Sequence, residues 1–347
     1  MTGVLHGVTI IEMAGIGPGP FCGMMLADHG ARVIRVDRAG AYDAQGKDVL
    51  TRNRELVNAD LKTPEGIALV RDLVRSADGI FEGFRPGVME RLCLGPDVLL
   101  GDNPALIYGR MTGWGQVGTL AHAAGHDINY ISITGNLHGY GRPHEKPTPP
   151  TNAIGDFAGG GMMLAFGMVA GILNARSTGT GQVIDCAMTD GAATIHAMQW
   201  GFRNMGAWAD TRGVNLLDTA AHFYDTYECA DGKFVSIGSI EPQFYALLRA
   251  TLGLSEDEAF NAQMDKSQWP ALKDKLTAIF KTKSRDEWAA IMEGTDICFG
   301  AVLSMAEALD HPHNVARGTF VDVNGDPQPG PSPRFLGTPA PAPVGRR

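Results

Sequence analysis

The sequence is short of charge, of basic residues and of cysteine. Only 19% of its 347 residues are charged, and 29 Lys and Arg against 38 Asp and Glu leave a formal net charge of -9. A nucleic-acid partner needs a basic face for its phosphates and a polybasic membrane anchor needs clustered Lys and Arg, so neither is expected. The five cysteines, Cys22, Cys93, Cys186, Cys229 and Cys298, are odd in number, far apart and without C-x-x-C spacing. That excludes a disulfide framework and a zinc cluster and points to a reducing compartment. Histidine offers no metal site either, since no H-E-x-x-H occurs and the pair His122 and His126 encloses Gly125 but no acid. The opening MTGVLHGVTI lacks the basic region of a signal peptide and the ending VGRR is not of the S-K-L type, so the expected home is a bacterial cytoplasm. One uncharged run, Phe157 to Leu173, is seventeen residues long and loaded with glycine, which predicts a buried core helix rather than a membrane span.

Glycine, by contrast, is abundant, with 45 residues or about twice the usual ~7%. No Gly-X-Y period or glycine tract accompanies it, so these residues serve turns and close approaches in a folded chain. The beginning reads as a strand (Val8 to Met13), the turn AGIGPGP, a helix (Phe21 to Gly30) and a second strand (Ala31 to Val36). Thr63-Pro64 supplies an N-cap and a first-position proline for a helix running to about Ser76. Apolar strands are expected at Gly79 to Phe84, Leu106 to Met111 and Val183 to Ala187, which makes an α/β domain with a parallel sheet.

Beyond Asp190 the pattern changes. A helix (Ala192 to Gly201) leads into a weakly patterned linker, followed by a hairpin of Phe223 to Cys229 and Lys233 to Ser239 about Ala230-Asp231-Gly232. Three helices follow, two with capping-box spacing at Ser255/Glu258 and Ser284/Glu287. The organisation expected is a large domain over 1–190, a linker over 191–221, a small α+β domain over 222–302 and a return of 303–347 to the large domain. The Pro-rich stretch Asp326 to Pro343 would form an extended cover.

AGIGPGP with Asp37 at the end of the second strand invites a dinucleotide reading. The spacing is G-x-G-x-G, however, and Pro18 and Pro20 remove two N–H donors that a pyrophosphate would need. A turn serving only the fold is an equal alternative. Ten Lys and Arg between Arg35 and Arg91 balance ten acids, so the net charge lies wholly elsewhere. Several of these cations, Arg38, Arg52, Arg54, Lys62 and Arg85, stand at loop starts, where an open α/β sheet lines its ligand crevice and a multiply phosphorylated ligand would find them.

The segments GHDINY (Gly125 to Tyr130) and PTPPTNAIGDFAGGGMM (Pro147 to Met163) carry more weight. Together with AGIGPGP, Asn58 to Lys62 (NADLK), Phe84 to Gly87 (FRPG) and HPHNVARGTF near the C-terminus, they resemble the α-methylacyl-CoA racemases of the class III CoA-transferase family, the CaiB/BaiF type. The resemblance spans essentially the whole chain. It implies a Rossmann-like large domain, a small domain and an interlocked homodimer, with the active site between the large domain of one chain and the small domain of the other.

It also implies an isomerase that epimerises (2R)- and (2S)-2-methylacyl-CoA thioesters by 1,1-proton transfer through an enolate. Two bases must then flank one carbon, and the resemblance assigns them to His126 and Asp156. A histidine titrates near neutrality, and Asp156 before an apolar helix is expected to stay ionised at the helix N-terminus. The enolate oxygen would rest on the backbone N–H of Asp127, and Glu241 would orient and charge-pair with His126. Coenzyme A, bound as part of the substrate with no separate cofactor and no metal, would meet Arg38, Ala59, Asp60, Leu61, Lys62, Gly83, Phe84, Arg85, Arg91, Gly125, His126, Asp127, Ile128, Asn129 and Tyr130. The alternative within the family is a CoA-transferase in which Asp156 attacks the thioester to form an acyl-enzyme anhydride. In place of the apolar segment usual after GHDINY stands SITGNLHGYGR, so Asn136, His138 and Tyr140 are expected to make the acyl site more polar if they line it.

Overall fold

The computed structural model describes residues 3–40 and 47–346. The chain divides into two compact units, one of Met1–Asn136, Pro150–Ala197 and Pro312–Arg347, the other of Leu137–Pro149 and Met198–His311.

The first unit is built on six strands: β1 (Thr9–Met13), β2 (Arg32–Asp37), β3 (Arg54–Asn58), β4 (Gly79–Glu82), β5 (Ile107–Thr112) and β6 (Gln182–Ala187). All pair in parallel, in the order β3-β2-β1-β4-β5-β6. This is the order of a doubly wound nucleotide-binding sheet, and its direction reverses between β1 and β4. Successive residues of the central strands point to opposite faces. Ile10, Val33, Phe81 and Ile107 pack against the helices Pro18–Asp28 and Met163–Thr178. Their neighbours Ile11, Ile34, Ile80 and Tyr108 join the helices Pro64–Val74 and Pro96–Asp102 on the other side. Thr63 caps the Pro64 helix, its hydroxyl accepting from Gly66 N–H at 3.1 Å. The edge strand β3 escapes the sequence pattern because RELVN has little apolar run, and only its first residue is buried.

The run expected to be a buried core helix is a π-helix, Ala153–Met162, continued by the α-helix Met163–Thr178. Within these 26 residues an 18-residue window has a mean hydropathy of 1.5, enough by length and composition to cross a membrane, with 44% of that window buried. Leu164, Met168 and Ile172 enter the core, but Met162, Phe166, Val169 and Leu173 leave an exposed apolar stripe. The glycines of the π-helix allow close approach, since a Cβ at Gly161 would stand 2.7 Å from the Pro18 carbonyl and one at Gly191 would strike Gly159.

In the second unit β7 (Tyr224–Glu228), β8 (Phe234–Gly238) and β9 (Phe299–Ala301) form an antiparallel sheet. Phe223, Tyr227, Val235, Trp269, Phe280 and Trp288 share its core with the helices Pro242–Thr251, Trp269–Phe280 and Arg285–Met292. Ser284 and Glu287 form the expected capping box. The Ser255/Glu258 box does not form, because the Asp257 carboxylate lies nearer and accepts from Ala259 N–H at 3.1 Å. Residues 137–149 belong to this unit rather than to the first, because Arg212 donates to the carbonyls of His138 and Arg142 at 2.8 and 3.2 Å and Arg142 pairs with Asp225 at 2.7 Å. Residues 303–311, expected in the C-terminal return, also belong here; Glu307 bonds Arg285 at 3.0 Å.

From Pro312 the chain belongs to the first unit again. β10 (Phe320–Val323) and β11 (Asp326–Pro329) form a hairpin whose second strand occupies the start of the stretch expected to be extended cover. Arg52 bonds the Pro329 carbonyl at 2.7 Å, and Asn53 exchanges hydrogen bonds with Val344 at 2.9 and 2.7 Å.

Candidate active site

A cleft of about 850 Å³ opens at the C-terminal ends of β1, β4 and β5, where the strand order reverses. Ligands of open α/β sheets lie at this switch point. Its walls are Gly15 to Gly19 after β1, Gly83 to Pro86 after β4, Thr112 to Trp114 after β5, and Gly125, His126, Asn129, Tyr130, Asn152 and Asp156.

Buried charge fixes these loops. Glu12 and Arg54 are wholly buried in β1 and β3, and their carboxylate and guanidinium meet at 2.7 Å. Arg54 also bonds the Pro20 carbonyl at 2.7 Å, while Arg35, paired with the other oxygen of Glu12, reaches the Gly15 carbonyl at 3.3 Å. The AGIGPGP turn is therefore held by its carbonyls. Gly17 has φ 65°, which favours glycine, and Pro18 follows at the start of the helix. After β4, the buried Glu82 accepts from Phe84 N–H at 2.7 Å and from Arg110 at 3.1 Å, and Arg110 pairs on to Glu90 at 2.8 Å. Burial pushes the Glu82 carboxyl up to about 7 against the pull of the Phe84 amide and Arg110.

His126 is the N-cap of the helix Asp127–Ile133, and its own N–H donates to Asn129 Oδ1 at 3.0 Å. Asp127 is the first helical residue, so its N–H has no intrahelical acceptor. Its carboxylate is buried, and Oδ2 accepts from Gly155 N–H at 2.6 Å and Asp156 N–H at 2.8 Å. Tyr130 reaches the Gly125 carbonyl and meets Trp114 edge-on at 4.8 Å.

Asp156 is half-buried on the π-helix and accepts from Asn152 Nδ2 at 3.1 Å. Its carboxyl is raised above the ordinary aspartate range, first by burial and then by the negative Asp127, while the Asn152 amide and His126 pull the other way. Asp156 stands in the first turn of its helix, but burial and Asp127 oppose the stabilisation that a helix N-terminus gives its ionised form. Asp156 is the fourth residue of its helix, and the Asp127 carboxylate already takes the N–H groups of Gly155 and Asp156.

The profile of the CoA-transferase family III matches residues 5–344. The chain belongs to this family. It is 46% identical to the alpha-methylacyl-CoA racemase of Mus musculus and 46% identical to that of Homo sapiens, in each case over 97% of this chain, with 88% and 87% of the relative covered. A solved CaiB/BaiF family protein from Brucella suis superposes with a TM-score of 0.83 at 26% identity, covering 99% of this chain and 95% of that one.

Of the residues expected from this family's pattern, Gly83, Phe84, Arg85, Gly125, His126, Asn129, Tyr130 and Asp156 line the cleft together. Arg38, Ala59, Asp60, Leu61, Lys62 and Arg91 stand outside its wall, following β2, β3 and β4. Arg38, Lys62, Arg85 and Arg91 are exposed. Ile128 is exposed on the Asp127–Ile133 helix, and Asp127 sits behind the wall. Glu241 is the N-cap of Pro242–Thr251 in the second unit. Arg52 and Arg54 are not ligand cations, for Arg52 is buried against Asp28 and Arg54 against Glu12. Asn136, His138 and Tyr140 do not line the cleft; Asn136 is buried with its amide on the Ala192 carbonyl at 2.8 Å, and His138 bonds the Asp210 carbonyl at 3.1 Å. Sequence reasoning missed Asn152 and Glu82. Asn152 left one signal, a position four residues before Asp156, one helical turn away.

Proposed function

We propose that this chain is an α-methylacyl-CoA racemase. The observation that carries the reading is that His126 and Asp156, from two different helices, line one cleft at the switch point of the sheet. Each base removes the proton α to the thioester from its own face, and the other returns a proton to the opposite face of the enolate. The Asp127 N–H, at the start of its helix, is the donor for the enolate oxygen. A carboxyl raised by burial lies closer in proton affinity to an imidazole than a solvated aspartate does, which suits a reaction that runs both ways.

The phosphates of coenzyme A, part of the substrate, would meet Arg38, Lys62, Arg85 and Arg91, with the 59–62 turn and the loop from Gly83 shaping the approach. No separate cofactor enters. The stripe of Met162, Phe166, Val169 and Leu173 supports a homodimer, whose second chain would bring Glu241 to orient and charge-pair with His126. A cytoplasmic location belongs to the same proposal; the two racemases are mammalian and lend a bacterial origin no support.

A class III transferase using Asp156 as nucleophile is the rival. It needs no second base at His126. Incubation of one epimer of a 2-methylacyl-CoA in D2O without acceptor acid separates the two. Epimerisation with α-deuterium incorporation, lost in His126→Ala, is expected; no exchange, but CoA transfer once an acid is added, overturns the reading.

A further inference from the structure

We propose that the Asp127 side chain is a positioning group, which sets the Asp156 base relative to His126 by holding the backbone that carries it. The inference rests on the racemase reading above and is separate from the backbone N–H of Asp127, which Asp127→Asn leaves in place.

Asp127 directly follows one base and grips the backbone of the other. Its Oδ2 accepts from Gly155 N–H and Asp156 N–H at 2.6 and 2.8 Å, two charge-assisted bonds to the helix that carries Asp156. Only 4% of the residue is exposed, so water does not compete for these bonds. The seat is tight, for a Cβ at Gly155 would stand 2.7 Å from Oδ2 and 3.1 Å from Cγ. The other oxygen, Oδ1, is buried with no hydrogen-bond partner among the described residues. A buried carboxylate oxygen without a donor is costly to keep. The two amide bonds, which join segments 28 and 29 residues apart, are what the carboxylate gains in return.

The same carboxylate acts on Asp156 through space. The groups facing Asp156 are Asp127, whose negative charge raises its proton affinity, His126 and the Asn152 amide, which lower it, and the Tyr130 hydroxyl. Asp127→Asn retains an oxygen acceptor for the amides and removes the charge. Gly155→Ala retains the charge and presses the carboxylate off its seat.

Exchange of the α-proton with D2O, measured separately from each epimer between pH 5 and 9, distinguishes positioning from general folding support. In Asp127→Asn, exchange from the epimer whose proton Asp156 removes falls further than exchange from the other epimer, by about 10- to 100-fold. KM changes little, and the acid limb of the profile moves to lower pH because the neighbouring negative charge is gone. In Gly155→Ala the same unequal loss appears with the acid limb in place, and this variant decides the matter if Asp127→Asn does not fold. Equal losses from both epimers, or wild-type rates in both variants, overturn the inference while leaving the racemase reading intact. Absence of exchange in the unaltered protein overturns both.

Discussion

The amide of Phe84 donates to the carboxylate of Glu82, two residues earlier, at 2.7 Å, and so ties the cleft-lining loop to the end of β4. Glu82 is buried, and its carboxyl is pushed up to about 7. A carboxyl whose folded value exceeds its unfolded value contributes stability that is complete below the unfolded value and lost as pH rises through the folded one. The window here runs from about pH 4.5 to about 7. Glu82→Gln keeps an acceptor for Phe84 and cannot ionise. The stability of the wild type is expected to fall relative to that of Glu82→Gln across this window, by an increment of order 1–3 kcal/mol read as a lower melting temperature. Parallel pH curves for the two proteins would show that the carboxyl titrates in its ordinary range.

Asn152 holds Asp156 by a single amide donor, and that hydrogen bond favours the ionised form. Asn152→Leu has nearly the same shape and donates nothing. The Asp156 carboxyl should then rise further, and the acid limb of the exchange profile should move to higher pH, opposite in sign to the shift expected for Asp127→Asn. A limb that stays in place means that the Asn152 bond does not govern the base.

How much of this was legible in the sequence depends on the distance between partners. The Thr63 cap, the AGIGPGP turn and the hairpin about Gly232 involve neighbours in the chain, and their side-chain chemistry announced them. Arg52 and Arg54 looked like ligand cations because their true partners, Asp28 and Glu12, lie 24 and 42 residues away on elements that only the folded sheet brings alongside. The Asp127 carboxylate was invisible for the same reason, since its acceptor role depends on a helix 28 residues further on. His126 and Asp156 were found through the motif around them, not through their own chemistry.

The Glu12–Arg54 pair makes a sharp stability test. Both side chains are wholly shielded, and Arg54 also carries the Pro20 carbonyl of the glycine-rich turn. Arg54→Met fills similar space but leaves one oxygen of a buried carboxylate without its cation. The expected loss is about 3–5 kcal/mol, read as a lower urea midpoint. Exchange activity should fall as well, because the turn beside Asp156 loses its tether; a variant with wild-type stability would mean that Arg35 alone satisfies Glu12.

The exposed stripe on the Met163–Thr178 helix bears on assembly. Phe166 is 73% exposed and Leu173 71%, two turns apart on the same face, with Val169 between them. Isolated exposed apolar residues are ordinary, but an aligned set on one helix marks a surface that water does not normally keep. If the homodimer buries this face, Phe166→Asp with Leu173→Asp places two charges in an apolar interface without touching the core side of the helix, where Leu164, Met168 and Ile172 sit. The double variant should keep its secondary structure and elute as a monomer where the wild type elutes as a dimer. Because Glu241 would then lack its place beside His126, exchange should fall together with the dimer fraction and recover as concentration rises. A variant that stays dimeric, or a wild-type chain that is monomeric and active, would put the assembly surface elsewhere and remove Glu241 from the proposed pair.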